Sequence, residues 1–159
     1  KPGKCLLDDY ARKQCSGGQD VSGSHHRLVD VPPEHVEIVW PMVADWIADA
    51  ARDSRYFTEQ EVKSKIVSRG AQLWIVWGEN QADAVCVTQL EPTTKGKYCH
   101  IWIMVGRDMP AWQHLVKDLE TWARREGCSF MRHEARPGWA RILKRHDYHM
   151  PHVILEKEL

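Results

Sequence analysis

Residues 72–159 read QLWIVWGENQADAVCVTQLEPTTKGKYCHIWIMVGRDMPAWQHLVKDLETWARREGCSFMRHEARPGWARILKRHDYHMPHVILEKEL, and the order of elements in this stretch decides the fold. Leu73-Trp74-Ile75-Val76-Trp77 is an apolar run of strand length. Residues 78–81 make a turn, and residues 82–90, rich in Val and Thr, make a second strand. Residues 92–96 turn again into a third strand at 98–105. Trp112, Leu115, Val116, Leu119, Trp122 and Ala123 recur at spacings of three and four, an amphipathic helix that Gly127 ends. A strand at 128–134, a short helix at 138–145 with Trp139, Ile142 and Leu143 turned inward, and a last strand at 153–155 complete the series. A helix between two strands forces a crossover and favours a parallel pair. The expected fold is therefore α+β: a mixed sheet, an antiparallel meander plus a parallel crossover pair, flanked by helices.

Two helices come before this stretch. Pro32-Pro33 opens the first, at 33–53, and Val36, Val39, Trp40, Val43, Trp46, Ile47 and Ala50 form its apolar stripe. Pro41 lies inside that stripe and is expected to kink or restart the helix. The second helix, at 58–69, opens on a capping box, Thr58 with Glu61, and Gly70 is placed to end it. Residues 1–27 differ in composition: Gly, Ser, Gln and Lys dominate, and Ser22-Gly23-Ser24 reads as a flexible joint. The expected organisation is an N-terminal arm at 1–27, loose or docked on a neighbouring chain, and one domain at 28–159.

The bulk numbers exclude several classes. The 22 basic and 22 acidic residues balance, so the basic excess of a phosphate-neutralising nucleic-acid binder is missing. No apolar run reaches the roughly 18 residues a membrane span needs, and no secretion pattern opens the sequence. The five cysteines, Cys5, Cys15, Cys86, Cys99 and Cys128, show no paired spacing, which fits a reducing compartment and buried thiols. His146, His149 and His152 stand three apart, yet Asp147 and Pro151 oppose the continuous helix that would make them converge on a metal. No metal site is expected.

Several motifs carry a resemblance. Trp122-Ala123-Arg124 with Gly127-Cys128, then Arg136-Pro137-Gly138-Trp139-Ala140-Arg141-Ile142-Leu143, then Asp147-Tyr148 and Leu155-Glu156-Lys157 together resemble the GNAT N-acetyltransferase superfamily, in a branch typical of tailed bacteriophages and prophages. The resemblance covers about residues 32–159. It implies an acyl-CoA-dependent N-acyltransferase that uses acetyl-CoA. An amine-bearing acceptor would attack the thioester directly, and the cofactor would lie where the meander splays from the parallel pair.

The same resemblance implies a pyrophosphate loop after the third strand. The stretch there is Val105-Gly106-Arg107-Asp108-Met109-Pro110-Ala111-Trp112. It lacks the family's paired small residues, Pro110 removes an N–H donor, and Asp108 adds a negative charge. Val105, Gly106, Arg107, Ala111 and Trp112 are the candidate cofactor contacts. The alternative is a turn that binds nothing. The family's acid, a tyrosine in the last helix, corresponds to Leu143; Tyr148 resembles the aromatic packing residue that follows the turn, with a catalytic role as the alternative. His100 on the third strand is the candidate base, with His133 and Glu134 as a second pair. Two functions stay open at this level: a working acyltransferase in a host cytoplasm, or a virion component or accessory protein that keeps the fold without the chemistry and docks on phage structural proteins through residues 1–27.

Overall fold

The computed structural model describes residues 25–159. Residues 1–24, most of the expected arm, lie outside them. Five strands form one sheet in chain order, β1 Arg27–Val31, β2 Gln72–Trp77, β3 Ala82–Thr93, β4 Gly96–Gly106 and β5 Met131–His133. The first four pair antiparallel and β4 pairs parallel with β5. The expected α+β mixed sheet is the observed one.

β1 was not expected. Its Val29 and Val31 alternate inward, and it begins at Arg27, within the segment read as arm. In the other direction, the strand expected at 153–155 does not form; residues 147–159 carry no helix or strand. Pro151 lacks an N–H for a ladder, and charge holds the tail elsewhere, since Arg55 pairs with Glu156 and Glu158.

α1 Val36–Arg52 follows a 3-10 turn at Pro33–His35 and runs through Pro41 without interruption, so the helix does not restart there. The ring removes the N–H that would reach the Glu37 carbonyl. Both residues are exposed, which leaves that carbonyl to water. α2 Glu59–Val67 has the expected capping box, with Thr58 Oγ1 accepting from the Glu61 amide and the Glu61 carboxylate accepting from the Thr58 amide. Arg69, not Gly70, takes the left-handed conformation at its end (φ 64°).

The helix expected at 111–126 is divided. α3 Met109–Trp112 gives way to a 3-10 turn at Gln113–Leu115 and then to α4 Val116–Arg125. The division falls at Trp112, whose φ is −125° and whose indole N–H donates to the Arg107 carbonyl at 2.8 Å. Gly127 closes α4 at φ 81°, as expected. α5 Pro137–Leu143 follows β5.

The sheet is covered on both faces. α1 and α2 pack on one through Val39, Val43, Ile47, Val62 and Ile66 against Leu73, Ile75, Val85, Val87 and Ile103. α4 packs on the other through Val116 and Leu119 against Trp74, Val76, Cys86 and Ile101, with Trp139 of α5 beside them. Cys86 and Cys99 are free and buried. Burial pushes the Cys99 thiol up to about 12, so it is an inert hydrophobe.

Candidate active site

Two bulges and one short ladder shape the site. β4 and β5 share three pairs, Cys99 with Met131, His100 with Arg132 and Ile101 with His133. β5 then ends while β4 continues five residues to Gly106 beside β3 alone. The strands part at Ile101 and His133, and a broad cleft opens there. Its walls include His100, Trp102, Met104, His133, Trp139 and Tyr148. Directly past the last pair, Trp102 has no partner on β3: the register passes from Thr88–Ile101 to Val87–Ile103. Such a bulge bends a strand and increases its twist, which helps β4 leave β5.

His100 and His133 sit on opposite faces of this opening. Ile101 packs in the α4 cluster, so alternation puts His100 on the α1–α2 face, where Lys65 of α2 acts on it. It is half-buried, and burial lowers its pKa from 6.5; Glu134 and Glu91 oppose the shift, while Arg132 and Lys65 add to it. His133 shares the face of Ile101 and meets the Trp139 ring edge-on at 5.4 Å between centroids. Its Nδ1 lies 2.8 Å from the Ile101 carbonyl, an oxygen that only accepts, so Nδ1 carries the proton and donates. Burial is the largest cause of its lowered pKa; the Ile101 hydrogen bond and Glu134 raise it, and His100 lowers it further.

Both imidazoles are therefore resistant to protonation in the folded protein. Unfolded, they take up protons near 6.5. The unfolded chain then binds more protons below that value, and stability is full above it and falls as pH drops. Urea unfolding midpoints are expected to decline between about pH 7 and 5, by at most about 1.4 kcal/mol per pH unit for each histidine. Midpoints that stay level across that range contradict this.

Tyr148 packs in the α4 cluster, and its hydroxyl donates to the Met131 sulfur at 3.5 Å. Burial raises its pKa well above the ordinary phenol value, so it stays protonated. Leu143 is buried beside it in sequence space, at 5% exposure.

The loop after β4 is tied down. A second bulge leaves Asp83 of β3 without a partner on β2. Its carbonyl accepts from the Arg107 amide at 2.9 Å. One carboxylate oxygen accepts from Arg107 Nε at 3.1 Å, and the other lies 3.0 Å from His26 Nε2. Arg107 also donates to the Ala82 carbonyl and stands over the Trp46 ring at 5.9 Å. The guanidinium is thus committed to the fold, although its side chain is 56% exposed. Val105 packs with the α1–α2 cluster, and Trp112 is buried on the α4 face. Ala111 is half-buried, and its amide closes a turn onto the Asp108 carbonyl. Asp108 is left-handed at φ 49°. No group of three or more metal-ligating side chains occurs among the described residues.

The sequence reading put His100 on the strand that borders the cleft and the cofactor on the 105–112 loop; the cleft is lined by His100, Tyr148 and Val105, while Gly106, Arg107, Ala111 and Trp112 are not among its walls. That reading ranked His133 second because nothing local announces a hydrogen bond to a carbonyl 32 residues away. The roles of Asp83 and His26 were not seen at all; an acidic residue just past a turn carries no such signal.

No protein-family model matches the chain, and no curated protein matches it. Solved structures do. A putative acetyl transferase from Pyrococcus furiosus superposes with a TM-score of 0.64 at 14% identity, covering 84% of this chain and 99% of that one. A predicted acetyltransferase from Clostridium acetobutylicum, solved with acetyl-CoA, gives 0.61 at 14% identity over 84% and 96%. An aminoglycoside acetyltransferase from an uncultured soil metagenomic sample gives 0.63 at 8% identity over 86% and 98%. The fold of this chain is that of the GNAT acetyltransferases.

Proposed function

We propose that the chain is an acyl-CoA-dependent N-acyltransferase that transfers an acetyl group from acetyl-CoA to an amine-bearing acceptor. The observation that carries this is the parting of β4 from β5 after three pairs, with an imidazole on each side of the opening. A thioester lying there would meet an amine entering through the cleft. His100 and His133 line the opening, and the lowered pKa of each favours the neutral form that a proton acceptor needs. The cofactor's phosphates would lie near residues 105–112, where the Arg107 side chain and the Arg107 and Ala111 amides are already held by the fold.

The test is calorimetric titration of the full chain with acetyl-CoA. Micromolar binding supports the reading and justifies an acceptor screen. No binding at millimolar acetyl-CoA overturns it, and favours the second reading: a GNAT fold kept as a docking scaffold, the phage accessory or structural protein that the sequence resemblance suggested. Asp108, Pro110 and the engaged Arg107 are what favour that second reading.

Asp108→Gly separates loop chemistry from loop shape. Glycine occupies the left-handed region without strain and removes a negative charge from beside the phosphates. The variant is expected to gain up to about 1 kcal/mol in stability and to bind acetyl-CoA more tightly. Equal or weaker affinity would place the phosphates elsewhere.

A further inference from the structure

The buried Nε2 atom of His133 has no hydrogen-bond partner among the described residues. An unsatisfied buried acceptor is costly, so a fold seldom keeps one that nothing ever meets. This one has a fixed chemical state. Nδ1–H is held on the Ile101 carbonyl, which leaves the Nε2 lone pair bare. It belongs to the last residue of the β4–β5 ladder, where the strands part, and its residue lines the cleft. Trp139 packs against the ring in a T-shaped contact, 5.4 Å between centroids.

Other side chains near the opening are differently placed: His146, whose buried Nδ1 also lacks a partner among the described residues, lies in the 3-10 turn after α5 and not where the strands part. The Tyr148 hydroxyl is turned onto the Met131 sulfur. Leu143, where the sequence resemblance would put an acid, has no proton to give. His100 is surrounded by charges of both signs, Glu91, Glu134, Arg132 and Lys65.

We propose that His133 is the catalytic proton shuttle of the transfer, taking the amine proton on Nε2 and returning it to the departing sulfur. This rests on the acyltransferase reading above. The amine lone pair attacks the thioester carbonyl carbon, forming the C–N bond. Nε2 accepts the proton of the resulting ammonium. The C–S bond then breaks, its electron pair goes to sulfur, and the Nε2 proton moves to that sulfur as the amide and the free thiol form. The imidazole ends as it began, neutral and protonated at Nδ1. One group thus serves as base and then as acid, and no tyrosine at position 143 is required. Trp139 turns aside to admit the reacting atoms.

The product state gives a direct test, because the thiol of reduced CoA is then the donor to Nε2. Ring 15N spectra of the labelled full chain are recorded during titration with CoA and with desulfo-CoA, which lacks only the sulfur. The expected result is a neutral His133 protonated at Nδ1, whose Nε2 signal moves upfield with CoA and stays in place with desulfo-CoA. Equal movement with both ligands, or none at saturation, overturns the shuttle and leaves the acyltransferase reading standing. Failure of the chain to bind either ligand overturns both. His133→Asn supplies the kinetic arm: its amide N–H can still donate to the Ile101 carbonyl, but it carries no base. Release of thiol from acetyl-CoA in the presence of a primary amine is expected to fall about 10²–10⁴-fold with acetyl-CoA affinity retained. Turnover equal to that of the unaltered chain overturns the assignment. If the variant does not fold, the ring spectra of the unaltered chain decide.

Discussion

Gly106→Val is expected to be severely destabilising. A Cβ at this position would lie 2.3 Å from the Ala84 Cβ, 2.4 Å from the Asp83 carbonyl oxygen and 2.5 Å from the Ala84 Cα. Two of these three atoms are backbone, so no side-chain rotation relieves the clash. Either β4 lifts off β3 at its end or the Asp83 bulge collapses. Overpacking alone costs about 1–3 kcal/mol and occasionally more. Here it also breaks the Arg107 amide bond to the Asp83 carbonyl. A loss of at least about 3 kcal/mol follows, large against the roughly 5–15 kcal/mol that holds a domain together. Urea unfolding or a thermal scan monitored by tryptophan fluorescence measures it. A variant as stable as the parent would mean that the strands are not in contact there. Gly106 was first singled out as a phosphate contact, and the geometry gives it a structural duty that needs no ligand.

Leu119→Ala is the second large effect. Leu119 is 2% exposed at the centre of the face that α4 lays on the sheet, beside Ile101, Leu115 and Val116. α4 has ten residues, too few to hold a helix in water without packing. Removing the isobutyl group forfeits its transfer energy and leaves a cavity, together about 2–5 kcal/mol and a Tm loss on the order of 10 °C. Because Trp139 and Tyr148 pack against the same cluster, the α4 side of the cleft should loosen with it. Differential scanning calorimetry checks the first effect and histidine ring exchange the second. A Tm within about 2 °C of the parent would mean that the site refills.

The periodic elements were legible because their signals are local. The stripe of Val39, Val43 and Ile47 and the reciprocal bonds of Thr58 and Glu61 need no distant partner. β1 escaped notice because its two inward valines follow directly on a polar stretch, and five residues are too few to outweigh that context. The apolar run at Val153, Ile154 and Leu155 suggested a strand for the opposite reason: composition was right, but a strand also requires a neighbour's free edge, and composition does not record one. The candidate site was half legible. His100 could be assigned to the strand that borders the cleft, but its face could not be read from alternation with Trp102. The length of the β4–β5 ladder, the tautomer of His133 and the capture of Arg107 by Asp83 all depend on contacts between residues 24 to 32 positions apart. Such pairings are chosen by the whole sheet and leave no pattern in a short window.

Strand order follows chain order across the whole sheet. Each new strand can therefore zip onto the one made before it, from β1 to β4, closing loops in turn, although the β1–β2 loop spans two helices. β5 alone has to wait for a crossover. During synthesis from the N-terminus, four strands and α1 and α2 can be assembled before residue 131 exists. The opening between β4 and β5 is then the youngest part of the molecule in every folding event. The three-pair ladder that borders it should also be the first to let go: in native-state hydrogen exchange, the amides of Met131–His133 are expected to exchange well ahead of those in β2 and β3. A cleft completed last and released first leaves a nascent chain with its frame intact and its cleft still unformed.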